Sequence, residues 1–306
     1  MTLATFRESR WFRLVWIIPA LLVAGAIFVG IAVWLRTLPG VQEFLTKYSG
    51  HSELPVGTPE GFPAWLNWQH FFNSFFILFV ITSGWKIRNT KRPAAYWTRN
   101  NTGVLKTKGE PQRISIIQWF HISMNTLWLL NGVLLYVLLF VSGQWARIIP
   151  TDWDIFPNAL SAALQYASLN WPHEMGWVNY NALQVLAYFV TVFIAAPLAV
   201  LTGLRMTPGL AERWKPLERV FPVQLARLLH FPIMIYFVAF IFVHVLLVLT
   251  TGALNNLNHM YAANNGESWW GFGLFMGSLV LIAVAWVAFK PSILAMIAGL
   301  TGKVRR

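Results

Sequence analysis

The sequence predicts an all-α integral membrane protein with six transmembrane helices and both termini in the cytoplasm. Three observations carry this prediction. The 306 residues are 57% hydrophobic and 11% charged, with mean hydropathy +0.54; soluble domains carry roughly 25% charged residues. Six apolar stretches each reach the roughly 20 helical residues that cross a bilayer. The basic residues fall in alternate loops, which orients the spans.

The spans are expected at 11–35, 65–85, 114–141, 183–204, 223–250 and 271–289. The first follows Arg7, Arg10 and Arg13, as a signal peptide would. Its apolar run is longer than a signal core, and Arg36-Thr37-Leu38-Pro39 follows it in place of a small-residue cleavage site. It reads as a retained helix. The longest extramembrane segment, 143–180, holds Pro157, Pro172 and the aromatic residues Trp153, Phe156, Tyr166 and Trp171, so it is expected to be partly folded at the membrane surface. After Pro291, the segment 292–302 is too short to span and is expected to lie along the inner surface. The chain reads as one membrane domain: an extra span and outer loop over 1–60, a core over 61–255, and a last span with a cytoplasmic tail over 256–306.

Of the 23 basic residues, 20 fall at the N-terminus, in the loop after the second span, around the start of the fifth, or at the C-terminal end. Arg36, Lys47 and Arg147 lie in the alternate loops with seven of the eleven acids. The positive-inside rule then places both termini in the cytoplasm. Topology thus accounts for the net charge of +12, and nucleic acid is not expected as a partner. The chain has no cysteine, which excludes disulfides, thiolate metal sites and CxxCH haem attachment. Trp11, Trp34, Trp65, Trp68, Trp85, Trp119, Trp269 and Trp270 sit near span ends, as an interfacial aromatic belt does.

Four of the seven histidines fall inside spans: His70, His121, His230 and His244. His51, His173 and His259 fall in outer loops. His230 and His244 share the fifth span, 14 residues apart. At about 1.5 Å per residue they lie roughly 21 Å apart along the axis, within about 40° of one face. With the charge-derived orientation, depth pairs His70 with His244 near the outer face and His121 with His230 near the inner face. Two imidazoles at one depth suit the two axial positions of a planar haem iron, a saturated site fit for electron transfer.

Other readings compete. A buried histidine can be a hydrogen-bonded helix contact. Four can form a proton path or bind zinc or copper. No acid lies in any span, where a proton relay would recruit one. A zinc site would gather its ligands at one depth, and these divide between two. Arg227, three residues before His230, is a candidate partner for a haem propionate or an inner-face anchor. Gly84, Gly132, Gly143 and Gly203 either admit a porphyrin or serve helix packing. Asn73 and Asn125 can hydrogen-bond within the bundle. His173 with Glu174 is a candidate proton relay or an ordinary loop pair.

Asn67-Trp68-Gln69-His70-Phe71-Phe72-Asn73, Gln118-Trp119-Phe120-His121 and the helix with histidines fourteen apart resemble the di-haem cytochrome b subunits of bacterial membrane oxidoreductases. These include the gamma subunit of formate dehydrogenase, the cytochrome subunits of thiosulfate reductase and nickel–iron hydrogenase, and the wider cytochrome b561-type group. The resemblance covers about residues 60–255. It implies a four-helix haem-binding core with flanking helices. It implies two b haems, on His70 with His244 and on His121 with His230. It further implies a bacterial cytoplasmic membrane and electron exchange between the quinone pool and a hydrophilic redox subunit, such as a molybdopterin oxidoreductase. The first span is extra to that core. The competing functions are a transporter and a cofactor-free membrane anchor.

Overall fold

The computed structural model describes residues 10–102, 110–171, 176–207, 209 and 215–305. The chain is an all-α membrane protein. Its principal elements are α1 (Leu14–Leu35), α2 (Pro39–Lys47), α3 (Ala64–Asn89), β1 (Tyr96–Arg99), β2 (Arg113–Ser115), α4 (Ile116–Val141), α5 (Ile155–Ala167), α6 (Ala182–Met206), α7 (Val223–Thr250), α8 (Ala253–Ala262), α9 (Trp269–Ala288), α10 (Pro291–Gly299) and β3 (Gly302–Arg305). Among the described residues, α1, α4, α6, α7 and α9 are long and apolar enough to cross a membrane. The sixth expected span, α3, has the length, at 26 residues. It is more polar, carrying Asn67, Gln69, His70, Asn73, Lys86 and Arg88.

The contacts divide the chain into two compact units. The first comprises Met1–Thr58 and Ala146–Phe189. In it, Ile155 and Ala159 of α5 pack on Ala182 and Val185 of α6, so the long loop does fold. Of the 22 residues of α1, only Ala32 is buried, as suits a helix whose surroundings are lipid.

The second unit comprises Pro59–Trp145 and Val190–Arg306, and holds all four span histidines. Here α3 packs along α4, α7 along the second half of α6, and α8 against α9. Ser115 starts α4 with a reciprocal cap: its hydroxyl accepts from Gln118 N and its own N–H donates to the Gln118 side chain. Ile77, Trp128, Ala195 and Phe237 form a core between α3, α4, α6 and α7. Trp128 Nε1 donates to Asn73 Oδ1 at 2.7 Å across α3 and α4. Asn125 instead donates to the His121 carbonyl of its own helix. Residues Val190–Ala195 of α6 wind as a π-helix. Tyr136 from α4 donates to the Val192 carbonyl there, and the Tyr236 and Thr191 hydroxyls meet at 2.7 Å. The first of these bonds engages a backbone carbonyl within the π-helical turn.

The segment after Pro291, expected at the inner surface, forms the short helix α10. Leu294 and Ala298 of α10 are buried with Phe79, Ala95, Ile116 and Phe120. The chain then adds β3 to β1 and β2 in an antiparallel sheet of order β2-β1-β3, with Trp97 opposite both Ile114 and Val304. Gly302 opposes Arg99, and a Cβ there would strike the Trp97 ring and the Thr98 carbonyl.

Candidate functional site

The core helices carry the four histidines: His70 on α3, His121 on α4, and both His230 and His244 on α7. The structure brings His70 and His244 together, with ring centroids 6.3 Å apart and planes inclined by 55°. Two metal–imidazole bonds of about 2 Å, with roughly 1 Å more from each nitrogen to its ring centre, would set two rings on one metal about 6 Å apart. The separation therefore fits shared ligation. His70 Nδ1 is buried and meets no hydrogen-bonding group among the described residues. Its ring meets that of Tyr261 nearly at right angles, with centroids 5.8 Å apart. His244 stacks on Phe240, one turn earlier, at 5.7 Å and 5°. Burial pushes the Tyr261 phenol above its ordinary pKa, with a hydrogen bond to Ser278 acting the other way. The phenol stays protonated through the neutral range.

His121 and His230 form the second pair: His121 senses the charge of a protonated His230, and a Cβ on Gly84 would meet both His121 and Met234, one turn beyond His230 on α7. His121 Nδ1 lies 2.9 Å from Ser83 Oγ of α3. His230 Nδ1 lies 2.8 Å from Thr202 Oγ1 of α6. A glycine follows each hydroxyl residue. A Cβ on Gly84 would stand 3.4 Å from His121 Cε1, and one on Gly203 would stand 3.5 Å from His230 Cε1. Both are ordinary contacts, so each glycine leaves about one methyl group of room against an imidazole edge. Gly132 has open space at its Cβ position, and Gly143 adopts φ +76° at the end of α4 beside Pro59. Those two are helix-surface and helix-end glycines.

Arg227 is exposed and, among the described residues, makes no hydrogen bond or ion pair. His173 and Glu174 lie outside the described residues. His51 is in a backbone bridge with Asn181. His259, expected in an outer loop, lies in α8 and is 2% exposed. Its Nε2 meets Asn265 Oδ1 at 3.0 Å, its ring stacks on Phe62, and its carbonyl accepts from Asn67. The neighbouring Asn258 joins α8 to the start of α9 through Ser268 and Gly271 N. These are structural contacts.

Among the described residues, no three His, Cys, Asp or Glu side chains gather as a metal site. The imidazoles stand in twos. Ser83 and Thr202 escaped the sequence reading, although each is the hydroxyl half of a hydroxyl–glycine dipeptide whose glycine was noticed.

A helical membrane core with paired imidazoles is an arrangement that b-type membrane cytochromes use. The particular family follows from comparison: the model of the prokaryotic cytochrome b561 family matches residues 61–263. The chain belongs to that family, and is a multi-pass membrane haem b electron-transfer protein. No curated protein and no solved structure matches it.

Proposed function

We propose that the chain is a di-haem cytochrome b subunit of a bacterial cytoplasmic membrane, passing electrons between the quinone pool and a hydrophilic redox subunit. The observation that carries this reading is the pairing of four intramembrane histidines, with His70 and His244 at 6.3 Å and His121 beside His230. His70 and His244 would hold one haem iron, and His121 and His230 the other. Haem b supplies one-electron oxidation and reduction of its iron. The chain's own residues would do the rest: the four imidazoles would hold the irons, and the apolar spans would exclude water and competing ligands. Arg227, on the His230 helix and exposed, would be the candidate partner of a propionate. The two ligands of α7 stand about 21 Å apart along its axis, so electrons would cross much of the bilayer. A molybdopterin oxidoreductase is the kind of partner that suits such a subunit.

The test is a reduced-minus-oxidised spectrum with haem quantified per chain. Two b haems are expected in the purified protein after haem-sufficient expression. No b-type band sinks the reading, and a ratio of one sinks its di-haem form. Quinol-driven reduction of the purified chain tests the quinone role; a chain reduced by dithionite yet inert to quinol would remove it.

A further inference from the structure

Ser83 and Thr202 touch the histidines but have no part yet in electron transfer. Hydrogen-bond accounting gives them one. Ser83 Oγ lies 2.6 Å from the Phe79 carbonyl and 3.0 Å from that of Val80. Thr202 Oγ1 lies 2.6 Å from the Leu198 carbonyl and 3.1 Å from that of Ala199. A hydroxyl has one hydrogen, and a carbonyl oxygen can only accept. Each hydrogen therefore goes back to the hydroxyl's own helix. What each oxygen offers an imidazole is a lone pair. The neighbouring ring nitrogen must then be the donor: His121 Nδ1–H to Ser83, and His230 Nδ1–H to Thr202. In a neutral imidazole with the proton on Nδ1, Nε2 keeps the lone pair that binds a metal.

The arrangement is duplicated. The two hydroxyls come from α3 and α6, and the two imidazoles from α4 and α7. A glycine follows each hydroxyl residue and meets the same imidazole at its Cε1 edge. His70 has no counterpart, since its buried Nδ1 finds no hydrogen-bonding group among the described residues.

We propose that Ser83 and Thr202 are positioning residues that hold His121 and His230 as Nδ1–H tautomers, present Nε2 to the iron, and lower the potential of that one haem. This rests on the di-haem reading above. An acceptor on the far nitrogen orients a ligating imidazole and makes it a stronger electron donor. Stronger donation favours the ferric state, and hydrogen bonding around the ligands is one of the protein's means of setting a haem potential.

The experiment is redox potentiometry of the full chain, following the b-type absorbance of both haems. Ser83→Ala and Thr202→Val remove the acceptors; Ser83→Thr and Thr202→Ser retain them. His230→Ala identifies which component belongs to the His121–His230 pair. Each acceptor-free variant should raise the midpoint of that component and leave the other in place. The hydroxyl-bearing variants should return it toward the parent value. Loss of that haem alone in Ser83→Ala or Thr202→Val, with recovery in the hydroxyl-bearing partner, supports the same role. Unmoved midpoints, equal movement of both, or a change that the retained hydroxyl does not reverse overturns it. A parent chain lacking two b-type centres overturns the di-haem reading and this inference together; two centres insensitive to both hydroxyls overturn the inference alone.

Discussion

His121 and His230 each rest a ring nitrogen on a hydroxyl oxygen, whereas His70 and His244 are packed by rings. Tyr261 stands perpendicular to His70, and Phe240 lies parallel to His244. A hydroxyl already committed to a backbone carbonyl fixes which nitrogen of an imidazole carries the proton. An aromatic neighbour fixes the plane of the ring and leaves its protonation pattern to other forces. The His121–His230 pair thus has a hydroxyl against each ring, and the His70–His244 pair has aromatic neighbours. Two haems of the same type held in these two ways should differ in potential, with the one on His121 and His230 the lower. A potential difference between two centres gives electron transfer along α7 a preferred direction.

The largest effect should come from removing one ligand of either pair. His230→Ala and His244→Ala alter one helix at points 14 residues apart. Each should reduce the haem content from two per chain to one. The haem that survives should differ between the two variants, with different midpoint potentials. Loss of both haems from two variants that remain folded, shown by unchanged helical circular dichroism, would break the division into two sites.

A smaller and indirect effect should follow from Gly271→Ala. The new Cβ would lie 2.4 Å from backbone atoms of Leu257 and Asn258, so α8 and α9 must separate. Overpacking of this kind costs about 1–3 kcal/mol. Because α8 also carries Tyr261, the disturbance should fall on the His70–His244 haem and spare the other. Haem content and midpoint, read separately for the two components, check this. An even loss of both would show that α8 supports the whole core.

The histidine pairs were legible because burying an imidazole in a membrane span demands a reason and because the charge pattern sorted the depths. Five of the expected spans are helices apolar enough to cross a membrane; the sixth, 65–85, is the helix α3, made more polar by Asn67, Gln69 and His70. The supporting contacts were not legible. The Ser83-Gly84 and Thr202-Gly203 dipeptides have doubles in Ser142-Gly143 and Thr251-Gly252, where the glycine takes φ +76° and +126° to turn the chain at a helix end. The same two letters cap a helix or orient a ligand, and only the fold says which. The three-stranded sheet escaped for another reason. Its strands are three or four residues long, and β3 pairs with a strand some 200 positions earlier. No local periodicity announces such a pairing. Likewise, nothing local announces that Leu294 and Ala298 of the short helix α10 are buried with Phe79 and Phe120.

The smallest effect should come from Tyr261→Phe. The ring against His70 is kept, and the hydrogen bond to Ser278 is lost. If packing alone specifies the His70–His244 site, the hydroxyl is dispensable: both haems stay, and the midpoint of that haem moves less than the other does in Ser83→Ala. Tyr261→Ala deletes the ring itself, so it should displace the same midpoint further or weaken retention of that haem. The order of the two variants is the test. A phenylalanine that disturbs the site as much as an alanine would mean that the phenol, through Ser278, governs His70 by hydrogen bonding after all. The contrast between the two pairs would then lie in how far the polar contact stands from the imidazole.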